Sequence, residues 1–134
     1  MHSLDPGRPT FTVVQSWDSG GNESFPYGHF AGAVDILGLD VYPCAHVRAG
    51  CNFAEIDAAF AAAEAAGITN YWGILQAFED DYYRLPTPEE VATQFDHWQN
   101  SHMSGYFVFS WNYLGTGLDG YPDVVREFAR RNLR

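Results

Sequence analysis

The chain has no lysine. Its seven basic residues are all arginines, set against seventeen acidic ones, for a formal net charge of −10. Without lysine there is no Schiff-base chemistry and no phosphate-binding P-loop lysine. A basic cluster is missing too, so neither nucleic acid nor an anionic membrane finds the positive footprint it needs. No apolar run approaches the roughly 20 residues of a bilayer span. The opening "MHSLDPGRPT" lacks the basic and apolar parts of a signal peptide. If complete, such a chain is expected in the cytoplasm.

Cysteine is equally scarce. Cys44 and Cys51 flank "AHVRAG" in one loop. They are either a disulfide that closes that loop or two ordinary small residues, and spacing alone permits both. Neither alternative points to a metal. The five histidines, His2, His29, His46, His97 and His102, show no close ligand spacing. No serine sits in a nucleophile elbow, since "FSWNY" lacks the flanking glycines. We expect no cofactor and no resident metal; the run Glu79, Asp80, Asp81 reads as a solvated loop, with Ca²⁺ as its other use.

What is present is a packed globular composition: 134 residues, 46% hydrophobic and 16% aromatic. That suits a single domain with a real core. Four short apolar runs read as buried parallel strands: "FTVVQSW" (11–17), "VDILGLDVY" (34–42), "YWGILQAF" (71–78) and "GYFVFSW" (105–111). A first helix is expected from about Phe53 to Ala66, capped by Asn52 and stopped by Gly67, with Ile56, Phe60 and Ala63 on its inner face. The second has a stronger start. Thr87 serves as N-cap, Pro88 as first helical residue and Glu90 closes a capping box, followed by the stripe Val91, Phe95, Trp98. A third begins near Pro122. The link "DSGGNESFPYGHFAGA" shows little helical period, and a long loop of that kind is usually functional.

The order β–loop–β–α–β–α–β–α implies parallel strands joined by right-handed crossovers. "SWDSGGNES" does not fit the dinucleotide-binding turn of an open doubly wound sheet. The remaining candidate is part of a (β/α)8 barrel, which needs about 250 residues when whole.

"DILGLDVYP", "WGILQAFEDDYYRLPTPEE" and "GYFVFSWNY", in that order, resemble the last strands of (β/α)8-barrel glycoside hydrolases, especially bacterial glycosidase-like barrels. The likeness runs from about Asp5 to Tyr113. It implies an α/β chain that is the parallel-stranded C-terminal half of a TIM barrel, strands five to eight, spanning residues 1–134 as one (β/α)4 domain. Four such strands leave two open edges and no opposite wall. A second copy forming a homodimer, or a missing N-terminal half, would supply both; the homodimer is the favoured expectation.

In barrels the chemistry gathers at the C-terminal strand ends. Here that rim would carry Gln15, Trp17 and Asp18, then Asp40 and Tyr42, then Gln76, Phe78 and Glu79, then Ser110, Trp111 and Asn112. Aromatic platforms beside amide and carboxylate edges suit a carbohydrate ligand. Retaining members of the resembled group use an acid/base after strand four and a nucleophile on strand seven. This chain lacks the former, and Gln76 stands where the latter would be. Asp40 and Glu79 remain as candidate catalytic carboxylates. The implied function is a glycoside hydrolase-like half-barrel that binds carbohydrate and hydrolyses it weakly or not at all as an isolated chain. The alternative is a non-catalytic, self-associating module.

Overall fold

The four apolar runs become the four strands of one sheet. A computed structural model describes residues 6–19, 22–24 and 26–132; for 17–19, 22–24, 26, 116 and 117 only the backbone is described. The sheet holds β1 (Phe11–Gln15), β4 (Ile36–Asp40), β5 (Tyr71–Gln76) and β6 (Gly105–Phe109), adjacent in that order and parallel throughout. Three helices follow the last three strands: α1 (Ala54–Ala65), α2 (Pro88–Gln99) and α3 (Pro122–Asn132). The molecule is thus an α/β fold with a four-stranded parallel sheet.

Each strand ends earlier than its apolar run. Beyond Gln15 the chain leaves the sheet and forms a small antiparallel hairpin, β2 (Trp17–Ser19) with β3 (Asn22–Ser24), then a 3₁₀ turn over Pro26–Phe30. The link expected to lack regular structure therefore has some. Its turns are too short to carry a period. A second hairpin, β7 (Asn112–Tyr113) with β8 (Thr116–Gly117), follows β6.

Helix α2 starts as its sequence demands. Thr87 accepts from the Glu90 amide, the Glu90 carboxylate accepts from the Thr87 amide, and Pro88 fills the first turn. The start of α1 is a correction. Phe53 occupies the N-cap with no side-chain cap, because Asn52 instead donates to Glu55 Oε1 at 3.0 Å. Gly67 ends α1 at φ +79°, a left-handed conformation that favours glycine.

The helices cover one face of the sheet. Leu37, Leu39, Tyr71 and Leu75 pack there against Ile56, Val91, Phe95, Trp98 and Phe128. Gly73 lets Trp98 lie directly on the strand; a Cβ there would come within 2.7 Å of the indole. Phe60, expected to be central, is only partly buried, and Ala59 takes the inner position beside Ile56 and Ala63.

The other face has no layer over it among the described residues. Val13 and Phe107 remain 46% and 49% exposed there. The side chains of this face nevertheless converge. Phe11 on β1 and Phe107 on β6 bring their ring centroids to 5.4 Å, with Trp72 between them at 5.7 and 5.0 Å. Strands three places apart in a flat sheet stand about 14 Å apart. The edge side chains therefore lean together over the middle of the sheet, and the uncovered face is the concave one.

Candidate functional site

The concave face holds a cavity of about 650 Å³ that runs along the strands from Phe11, Val13 and Phe107 to Asp40, Tyr42 and Phe78 at and beyond the C-terminal ends. Its lining joins Gln15, Asp40, Tyr42 and Phe78, which the strand-end reasoning selected, with Tyr83, Phe109 and Tyr113, which it did not. The aromatic wall is continuous. Tyr42 meets Phe78 at 4.8 Å and Tyr83 at 5.3 Å, and Phe78 meets Phe109 at 5.2 Å and Tyr113 at 5.4 Å, all edge to face.

Asp40 is the charged group at the centre of that wall. It ends β4, alternating with Gly38 on the concave face, and is only 9% exposed. The Tyr42 hydroxyl lies near enough to its carboxylate to favour the ionised form. Its Oδ1 has no hydrogen-bond partner among the described residues. Burial pushes the Asp40 carboxyl up to about 6, against a smaller opposing effect of the Tyr42 hydroxyl. Burial also raises Tyr42 and Tyr83, and the negative charge of Asp40 adds to both. A buried carboxyl that keeps a proton into the weakly acid range, beside a cavity, can hydrogen-bond a hydroxyl or pass a proton to it.

Gln76 is placed otherwise than expected. Its side chain is fully buried and does not line the cavity. Its Oε1 accepts from the Cys44 amide at 2.9 Å, and its Nε2 donates to the carbonyls of Cys44 at 2.9 Å and Arg84 at 2.8 Å. The main chain of Gln76 is held by Gln94 of α2, which accepts from its amide at 2.9 Å and donates to its carbonyl at 3.2 Å. All of this amide's work is structural: it ties two loops to the end of β5.

The Cys44–Cys51 disulfide forms, with the two Cα atoms 4.2 Å apart. Beside it Arg84 makes a two-pronged ion pair with Glu90, at 2.7 and 2.6 Å, which holds the Glu90 carboxyl below its ordinary range. Cys44, Cys51 and Glu90 are the one cluster of metal-ligand types among the described residues, and both sulfurs are spent in the disulfide.

Glu79 lies outside the Asp40 cavity. It lines two shallower grooves, and its side chain is 41% exposed near His46. The candidate carboxylates are not brought together there. Asp80 does reach the cavity, but its Oδ1 caps a turn, accepting from the Tyr82 and Tyr83 amides at 2.8 and 2.7 Å. That turn is what aims Tyr83 inward, and an aspartate opening "DDYY" was its signal. Trp111 stands 63% exposed and Asn112 begins the β7 hairpin; neither lines the cavity. Trp17 and Asp18 fall in β2, whose side chains lie outside the described residues. No helix among the described residues is long and apolar enough to cross a membrane.

Set against known proteins, the chain matches no family model, no curated protein and no solved structure.

Proposed function

We propose that the chain is half of a (β/α)8 barrel of glycoside hydrolase type, and that its concave cavity binds carbohydrate. One observation carries the reading: the buried Asp40 carboxylate, whose Oδ1 has no partner among the described residues, borders a cavity lined by seven aromatic residues, with Tyr42, Phe78, Tyr83, Phe109 and Tyr113 forming one continuous wall. Sugars present apolar C–H faces to rings and hydroxyl edges to carboxylates and amides. Tyr42, Phe78 and Tyr83 supply the first; Asp40 and Gln15 supply the second. A concave uncovered face, all-parallel order and covering helices on the convex side agree with a half-barrel. Hydrolysis by a single, unpaired chain is weak or absent, because Glu79 lies elsewhere and Gln76 is locked in structure.

The test is a titration of the purified chain with a panel of neutral oligosaccharides, followed by intrinsic tyrosine and tryptophan fluorescence. Saturable binding is expected, weakened about 10- to 100-fold in Asp40→Asn, the range for losing a hydrogen bond to a charged group. A flat response to every sugar in the panel, with the chain folded, would reject the reading. A non-catalytic binding module is the second reading; the two glutamines that bind only backbone, Gln76 and Gln94, favour it, since neither is left for chemistry.

A further inference from the structure

We propose that a second copy of this chain completes the barrel about a two-fold axis, and that the two Asp40 carboxylates then face each other across its mouth as the acid–base pair of an inverting glycoside hydrolysis. The inference rests on the half-barrel reading above and supplies the second carboxylate that a single chain lacks.

The edges of the sheet argue for a second copy. β1 and β6 are opposite edges, each five residues long, and every strand between them is parallel. A two-fold axis running along the barrel preserves strand direction. It sets β1 of one protomer beside β6 of its partner, parallel, and does the same at the second junction. Both open edges are paired by one operation, the closed arrangement that symmetric dimers favour. The exposed Val13 and Phe107, with the half-buried Trp72, become interior layers of a closed barrel.

Symmetry then fixes where Asp40 goes. Any residue on the concave face lies diametrically opposite its own copy. Eight strands about 4.8 Å apart and tilted by about 36° close at a diameter of about 15 Å. An aspartate reaches roughly 3.5 Å inward from its Cα, leaving about 8 Å between the two carboxylates. Inverting hydrolases hold theirs ~6.5–9.5 Å apart, with room for a water.

The chemistry balances. Protonated Asp40 gives its proton to the glycosidic oxygen as the bond from that oxygen to the anomeric carbon breaks, and the leaving group departs as an alcohol. The partner's Asp40, ionised, takes a proton from a water whose oxygen bonds to the anomeric carbon from the opposite side. One water is consumed, and the proton that began on one carboxyl ends on the other. Because the pair is symmetric, the dimer is ready for the next substrate with the roles exchanged. Burial already favours a protonated Asp40, and a like charge opposite would separate the two ionisations further.

The experiment has two stages. Light scattering on the full chain at micromolar concentration should give twice the 15.0 kDa chain mass; a monomer overturns the proposal, whatever the sugar titration shows. Wild type and Asp40→Asn are then mixed, unfolded and refolded together at set ratios, and aryl-glycoside hydrolysis is measured. Since both carboxylates are needed, activity should fall as the square of the wild-type fraction, to about one quarter in an equal mixture. The all-Asn dimer should lose at least about 100-fold. A linear fall overturns the shared pair, and so does a wild-type dimer no faster than Asp40→Asn. A dimer that binds oligosaccharide without hydrolysing it rejects this inference and keeps the binding reading. Should Asp40→Asn fail to fold, a titration of ¹³C-labelled aspartate in the wild-type dimer decides: two steps for Asp40 support the facing pair, and a single step overturns it.

Discussion

Two polar side chains end neighbouring strands of the sheet, and they have opposite fates. Gln76 closes β5 and is fully buried; Asp40 closes β4 and is 9% exposed. Around Gln76 every amide position is engaged by backbone, a disulfide sits beside it, and a bidentate ion pair closes the far side. Around Asp40 the Tyr42 hydroxyl favours the charged form, Oδ1 is buried with no partner among the described residues, and the residue borders a cavity. A buried polar group that is fully satisfied holds the fold together. One left partly unsatisfied beside open space costs stability, and that cost is what a ligand can relieve. The comparison separates scaffold from site more sharply than residue type does.

The largest effect is expected from breaking the satisfied side. Gln76→Leu removes three hydrogen bonds and leaves the amide of Cys44 and the carbonyl of Arg84 without partners in a buried loop junction, while the Cys44 carbonyl keeps the Arg84 amide. At about 1–3 kcal/mol for each such group, and with some relief from water at the Arg84 end, the loss should be about 2–4 kcal/mol. Urea unfolding at neutral pH measures it. A loss under 1 kcal/mol would mean that the junction is held by the disulfide and the Arg84–Glu90 pair alone.

Asp40→Asn should act the other way, and only at high pH. The carboxyl has a folded value of about 6 against an ordinary 3.8. Below about pH 4 both states carry the proton and the difference contributes nothing against Asn. As pH rises through about 6 the folded state must ionise a buried group, and stability falls by about 2–3 kcal/mol. The variant is spared that fall. Melting curves should coincide near pH 4 and diverge toward pH 8, with Asp40→Asn the more stable; parallel curves at all pH values would show that Asp40 ionises freely. A residue whose neutral replacement stabilises the fold while weakening ligand binding belongs to the site.

How much of this contrast was readable in the chain follows from how local each feature is. The start of α2 was legible because Thr87, Pro88 and Glu90 settle it within four positions. The strand centres were legible from apolar runs, and their ends were not, since "FTVVQSW" looks the same whether or not the chain turns out of the sheet after Gln15. Asp40 was legible as a carboxylate inside an apolar run. Gln76 stood out for the same reason, yet its role depends on Cys44, which lies 32 positions away. No strand pattern reveals that a loop will fold back over its own amide. Tyr83 was hidden likewise: only the turn capped by Asp80 points it into the cavity.

The smallest expected effect is the most diagnostic of the Asp40 side. The Tyr42 hydroxyl favours the ionised form of the Asp40 carboxylate, opposing the burial that raises it. Tyr42→Phe keeps the ring against Phe78 and Tyr83 and removes only the hydroxyl. The Asp40 carboxyl should then titrate higher still. Tyr27 and Tyr83, the other groups that feel its charge, stay neutral through this range, because burial pushes both upward. Destabilisation should be slight near pH 4 and grow to about 1 kcal/mol by pH 8, where a charged carboxylate has lost that hydroxyl. In an Asp40→Asn background the pH dependence should vanish, leaving only the effect of the hydroxyl beside a neutral group. That cycle isolates the interaction between the two groups. If Tyr42→Phe instead costs the same at every pH and in both backgrounds, the hydroxyl serves the aromatic wall and not the carboxylate. The buried, unpartnered oxygen of Asp40 would then be what distinguishes this carboxyl from the satisfied amide of Gln76.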